Sequence, residues 1–123
     1  MPAILMIDDD ADFSGLASAH FIKLGYTVAL AGNGKDGLSK AAAFKPDIIF
    51  LDIMMPGMNG VEVLRELQGM DETADVPVIV MSGKYFDDGM FDIFRQERNF
   101  REFVAKPVAF SQLQQKVEAL LKK

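Results

Sequence analysis

Cysteine is absent from the 123-residue chain, which excludes a disulfide framework and any thiolate-held metal and leaves the redox compartment open. Long apolar runs are absent too. None approaches a bilayer span, and the first residues carry neither the basic segment nor the apolar stretch of a secretory signal, so cytoplasm is the default expectation. Positive charge is in deficit: 18 acidic residues against 13 basic give a net charge of −5. That balance disfavours nonspecific attraction to nucleic acid or to anionic membranes, and solubility is its plain meaning. No repeat, low-complexity tract or linker interrupts the chain. Neither a P-loop nor a Gly-x-Gly-x-x-Gly turn follows the first apolar run, which argues against a nucleotide-binding protein. With half its residues hydrophobic, the chain can bury one core and has little room for a second; one domain over residues 1–123 is expected.

What is present is an alternation of short apolar runs with amphipathic stretches. It predicts βαβ units, hence a parallel sheet covered by helices on both faces. Strands are expected over residues 3–8, 26–30, 47–52, 76–82 and 101–105, with five helices between and after them. Phe13, Leu16, Ala17, Phe21 and Leu24 share a helical stripe that Gly25 would stop. A second helix over 35–44 ends ahead of Pro46, because the residue before a proline avoids helical geometry. A third covers 60–70, with Val61, Val63, Leu64 and Leu67. The last carries Phe110, Leu113, Val117, Leu120 and Leu121 on one side, with Lys122 and Lys123 complementing the helix dipole. These stripes are read as core. Residues 83–100 give a helix-like segment after Gly89 without clean boundaries.

The polar residues gather at strand ends. Asp8 and Asp9 close the first run (Ala3-Ile4-Leu5-Met6-Ile7), Asp52 closes the third, Ser82 the fourth, and Lys106-Pro107 follow the fifth. Parallel strands deliver all of these to one carboxyl edge, where open α/β sheets bind ligands. Each alone has a plain alternative: any of Asp8, Asp9 or Asp10 can cap the following helix, and Asp52 or Ser82 can serve a turn. Together they demand more. Crowded carboxylates raise one another's pKa unless a cation offsets them. Lys106 supplies one positive charge, and Mg²⁺, a hard ion satisfied by one or two carboxylates plus water and phosphate oxygens, can supply the other.

The run Ile7-Asp8-Asp9-Asp10, the run Pro46-Asp47-Ile48-Ile49-Phe50-Leu51-Asp52, the loop Met55-Pro56-Gly57-Met58-Asn59-Gly60, the strand end Met81-Ser82-Gly83 and Ala105-Lys106-Pro107 stand in order at the right separations. In this the chain resembles the receiver domains of two-component response regulators, from about Ile4 to Leu121. The resemblance implies a flavodoxin-like, doubly wound α/β fold: a five-stranded parallel sheet in the order 2-1-3-4-5 flanked by five helices. It implies that Asp52 is the phosphoacceptor, and that Asp8, Asp9 and Asp52 hold Mg²⁺ with the backbone carbonyl of Met54. Lys106 would contact the phosphoryl group, with a cis peptide bond between Lys106 and Pro107 aiming it. Ser82 and Phe103 would be the hydroxyl and aromatic switch residues, and Met54 and Lys84 would tune the lifetime of the phosphoryl group.

A sensor histidine kinase or a histidine phosphotransfer protein is the donor the resemblance implies. The domain would be no enzyme beyond catalysing its own phosphorylation and dephosphorylation. Its output surface would be the face of the fourth helix, fifth strand and fifth helix, through which dimerisation or a downstream protein would act; no direct nucleic-acid or membrane contact is expected. Chain length leaves open a stand-alone receiver or a piece of a longer regulator. Two other classes compete. A phosphorylation-independent scaffold of receiver fold typically loses an acid or the lysine, and the full set stands here. A metal-dependent hydrolase with a phosphorylated aspartate usually carries a second acid two residues after it, where this chain has Met54.

Departures concentrate in the interval from Ser82 to Lys106, about two residues longer than expected for such a domain. Gly83 stands where alanine is common, and Arg98-Asn99-Phe100-Arg101 replaces the usual Ala-Gly-Ala. A short, shifted or mobile fourth helix is expected. Tyr85, Phe86, Phe91, Phe94 and Phe100 are read mostly as core, with a partner-binding patch as the alternative. Arg95, Arg98 and Arg101 are read as a solvated face, and His20 as a packing or rim residue.

Overall fold

The computed structural model describes residues 2–53, 60–82, 88–106 and 108–121, with the backbone alone for 88–91. The elements run β1 (Ala3–Ile7), α1 (Ala11–Lys23), β2 (Thr27–Ala31), α2 (Gly34–Phe44), β3 (Ile48–Asp52), α3 (Gly60–Gln68), β4 (Val78–Ser82), α4 (Asp88–Arg95), β5 (Phe100–Ala105) and α5 (Phe110–Leu121). All strand pairs are parallel, and the sheet order is β2-β1-β3-β4-β5. The expected α/β architecture and strand order are therefore met. Among the described residues no helix is long and apolar enough to cross a membrane.

The continuous apolar strands follow from burial on both sheet faces. Successive side chains alternate between two cores. Leu5, Ile7, Ile49, Leu51, Val78 and Val80 face α2, α3 and α4, where Ala41, Val63, Leu64, Leu67 and Phe94 pack. Ile4, Met6, Ile48, Phe50, Ile79 and Met81 face α1 and α5, meeting Ala17, Phe21, Leu113 and Val117. Phe21 and Phe50 are fully buried, each removing apolar surface worth roughly 1.5–3 kcal/mol. On the first face, α2 lies so close to β1 that a Cβ on Gly37 would fall 2.6 Å from the Ile7 side chain.

Several boundaries correct the sequence reading. Tyr26, Asp47, Val76 and Pro77 lie outside the strands, and Asp8 lies just beyond β1. Helix α3 stops at Gln68, short of residue 70. Helix α2, by contrast, ends at Phe44 as expected, with Lys45 a left-handed C-cap at φ 53° ahead of Pro46. The α1 stripe is narrower than expected: Leu16 and Leu24 are 64% and 44% exposed, whereas Ser14, Ala17, Ser18 and Phe21 are buried. The Ser14 hydroxyl tolerates this by donating to the Asp10 carbonyl oxygen at 3.0 Å.

The segment before β5 is ordered by polar contacts. Asn99, 1% exposed, donates from Nδ2 to the Leu64 carbonyl oxygen at 3.1 Å and accepts from Gln68 Nε2 at 3.0 Å. Its own carbonyl takes the Val78 N–H at 2.8 Å, tying α3, β4 and the turn into β5 together. A register shift between Val78 and Ile79 leaves Arg101 without a partner position in the β4–β5 pairing. Phe94 is buried and Phe100 half-buried, their ring centroids 6.4 Å apart. These two aromatics are core, as read; Tyr85 and Phe86, and the side chain of Phe91, lie outside the described residues. Arg95, Arg98 and Arg101 are exposed.

Candidate functional site at the carboxyl edge

Because the strands are parallel, their ends assemble one rim. Asp8 follows β1, and its N–H donates to the Ala31 carbonyl oxygen at the end of β2 (2.9 Å). Asp52 is the last residue of β3, opposite Met81 of β4. Between β1 and β3 the connections change sheet face, the switch point at which such sheets bind ligands. Ser82 ends β4 opposite Ala105 of β5, and the Lys106 N–H donates to the Ser82 carbonyl oxygen at 2.8 Å. This ladder bond brings Lys106 back over the rim.

The Lys106 ammonium lies 2.6 Å from Asp8 Oδ2 and 3.3 Å from Asp52 Oδ2. Asp8, Asp9 and Asp52 each bring a carboxylate oxygen within 4.8 Å of the others. Asp8 and Asp52 are 3% and 5% exposed, and Asp9 is open to solvent. Asp10 takes the capping role: its carboxylate accepts the Phe13 N–H at 3.0 Å, at the start of α1. The capping alternative thus falls on Asp10, and Asp8 points into the cluster, with Oδ1 accepting the Asp10 N–H at 2.9 Å.

Burial pushes the Asp8 carboxyl up to about 6; Lys106 and the Asp10 N–H pull it down, and Asp52 adds to the rise. Burial alone would lower Lys106, but its hydrogen bonds and ion pairs with Asp8 and Asp52 outweigh this and hold the ammonium above its ordinary value. Among the described residues three carboxylates meet one ammonium at the rim. The residues fit a hard divalent cation, which takes oxygen ligands and would remove the cost of ionising Asp8.

Of the other expected site residues, Ser82 is buried (1% exposed) at the rim. Phe103 is half-buried in β5, packed against the core beneath α3 and α4. Met54, Lys84 and Pro107 lie outside the described residues. One residue was not legible as part of the site: the Phe13 ring, read only as core, lies under the Lys106 ammonium, 4.4 Å from Nζ to its centroid. The available signal was its position in the first turn after the acids.

The sequence pattern of the response regulator receiver domain matches residues 4–118. The chain belongs to that family. As a receiver it is 34% identical to protein PilH of Pseudomonas aeruginosa over 121 residues, covering 98% of each chain. It is 31% identical to the transcriptional regulatory protein AfsQ1 of Streptomyces coelicolor, matching 100% of this chain but 52% of that protein; the receiver spans about half the length of such regulators. Among solved structures, the chemotaxis protein CheY4 of Vibrio cholerae superposes with a TM-score of 0.90 at 21% identity, over 98% of this chain and 99% of that one. The receiver domain of the sensor histidine kinase PA1611 from P. aeruginosa, with magnesium coordinated in its active-site cleft, gives 0.86 at 23% identity, covering 99% and 98%. The receiver of two-component response regulators, expected from the motifs, is thereby the family of this chain.

Proposed function

We propose that this receiver, taken as a single domain over residues 1–123, accepts a phosphoryl group on Asp52 from a phosphohistidine donor in the presence of Mg²⁺. The observation that carries the reading is the placement of Asp52: buried at the end of β3, 3.3 Å from the Lys106 ammonium and within 4.8 Å of two further acids. An Asp52 carboxylate oxygen attacks phosphorus, the phosphorus–nitrogen bond to the donor imidazole breaks, and the imidazole leaves with its electron pair, to be protonated by solvent. Asp52 then carries an acyl phosphate. Asp8, Asp9 and Asp52, with the Met54 carbonyl, would hold Mg²⁺, whose contribution when bound is to neutralise charge on the phosphoryl oxygens. Lys106 supplies a second, fixed positive charge on the same oxygens.

A dianionic group on Asp52 attracts hydroxyl donors. Ser82, at the neighbouring strand end, is the proposed hydroxyl switch, and Phe103 the aromatic that responds beneath it. The proposed output surface is the α4, β5 and α5 face, for a downstream protein or a second copy. A sensor histidine kinase or histidine phosphotransfer protein is the proposed donor, and the cytoplasm the expected compartment for that exchange. Met54 and Lys84 are proposed to set the lifetime: the apolar Met54 slows acyl-phosphate decay, so Met54→Asn and Met54→Lys are each expected to speed it.

Intact mass after incubation with Mg²⁺ and a small phosphodonor tests the reading. Wild type should gain one phosphoryl group, and Asp52→Asn or an EDTA-treated sample none. If a folded, Mg²⁺-binding wild type takes no group from either the small donor or a phosphohistidine protein, the scaffold reading replaces this one.

A further inference from the structure

The Lys106 ammonium has three N–H donors and a partly enclosed position, its side chain 12% exposed. Asp8 takes it at 2.6 Å and Asp52 at 3.3 Å. Its remaining side rests on the face of Phe13, 4.4 Å from the ring centroid. An aromatic face attracts a cation through its quadrupole and carries no net charge of its own. The two acids and the ring therefore act differently. Asp8 draws the ammonium toward β1; the ring holds it laterally without competing as a base.

Phe13 is itself braced. Its N–H is fixed by the Asp10 cap at 3.0 Å, and its ring packs on Phe110 of α5 with centroids 5.9 Å apart and planes at 56°. Phe110 in turn lies 5.7 Å from the His20 ring of α1. The face presented to Lys106 is thus held by both helices on that side of the sheet. A residue placed only to fill core would not need to meet a charged atom.

We propose that Phe13 is a positioning residue: its ring fixes the Lys106 ammonium over the rim, so that the rate of phosphoryl transfer to Asp52 depends on an aromatic at this place. The inference rests on the phosphotransfer reading and deepens it. Phe13→Leu and the unbranched Phe13→Met remove the π face and keep an apolar side chain; Phe13→Tyr keeps the ring.

The test uses the full chain, saturating Mg²⁺ and a small phosphodonor. Phosphorylation should slow about threefold to tenfold in Phe13→Leu and Phe13→Met and stay near wild type in Phe13→Tyr. Mg²⁺ affinity, measured calorimetrically, should not change, which separates lost positioning from a disturbed acid cluster. In a Lys106→Met background, Phe13→Leu should have no further effect. The ε-methylene protons of Lys106 should show an upfield ring-current shift in wild type and Phe13→Tyr that disappears in Phe13→Leu. A phosphorylated wild type matched in rate by Phe13→Leu, or an equal Phe13→Leu loss without Lys106, overturns the positioning role alone. A folded wild type that takes no phosphoryl group from this donor or from a phosphohistidine protein overturns the phosphotransfer reading and this one with it; the Lys106 proton shift still reports whether the contact exists.

Discussion

Lys106 sits closer to Asp8 than to Asp52, at 2.6 Å against 3.3 Å, and even so the fold penalises the ionisation of Asp8. Burial dominates at Asp8 and raises its pKa from 3.8 to about 6 despite the lysine. A raised carboxyl pKa means that the folded state holds the proton more tightly than the unfolded one. The associated stability is fully present below pH 3.8 and is lost as pH rises through about 6. Asp8→Asn mimics the protonated form, so it should stabilise the divalent-free domain at pH 7 by about 2 kcal/mol and by almost nothing near pH 3.5. Urea unfolding of both proteins at the two pH values measures this. Destabilisation of equal size at both would show that Asp8 serves the fold through hydrogen bonding alone.

The same linkage governs the cation. Mg²⁺ needs the ionised carboxylate, so binding should weaken as pH falls through about 6, and should release about half a proton per ion at that pH. Calorimetry in two buffers of different ionisation enthalpy yields the proton count directly. Binding independent of pH between 5 and 7 would place the cation away from Asp8.

The rim was legible in the sequence because its chemistry sits at strand ends. An apolar run followed by an acid, a serine or a lysine can be ordered along a parallel sheet without knowing any side-chain geometry, so Asp8, Asp52, Ser82 and Lys106 could be named together. Contacts fixed by three-dimensional approach were less legible. Leu16 shares a helical stripe with Phe21 but is exposed, because the line along which α1 meets the sheet runs through Ser14 and Ala17 instead. Phe13 looks apolar on the page, and nothing in its spacing says that a lysine from beyond β5 reaches its ring. Asn99 reads as a loop residue, although it is buried and bonded to α3 and to β4.

Asn99 offers a direct check on what orders the approach to β5. Its amide satisfies the Leu64 carbonyl and receives Gln68, while Gln68 also donates to Glu97 at 2.9 Å. Asn99→Ala removes the side-chain donor to the Leu64 carbonyl and the acceptor for Gln68, and opens space beside α3, so a loss of about 2 kcal/mol is expected. Hydrogen exchange should report the loss as faster exchange at Val78 and Phe100, the amides on either side of the turn. Unchanged protection there would mean that packing of Phe94 on Phe100 orders the segment by itself.

At the far end of α2, Lys45 adopts the left-handed conformation with φ 53° and ψ 62°, and its N–H closes the helix on the Ala41 carbonyl oxygen at 3.0 Å. A side chain with a Cβ is strained there by about 1–2 kcal/mol, whereas glycine is not. Glycine also widens the unfolded ensemble, which offsets part of the gain. Lys45→Gly should therefore stabilise the domain by about 0.5–1 kcal/mol. Lys45→Ala supplies the control, since it removes the charge and keeps the Cβ: it should give no gain. Neither change touches the carboxyl rim, so phosphorylation and Mg²⁺ affinity should match wild type. An equal gain in both variants would assign the effect to the lysine charge, and no gain in Lys45→Gly would show that the exposed turn relaxes its strain without help.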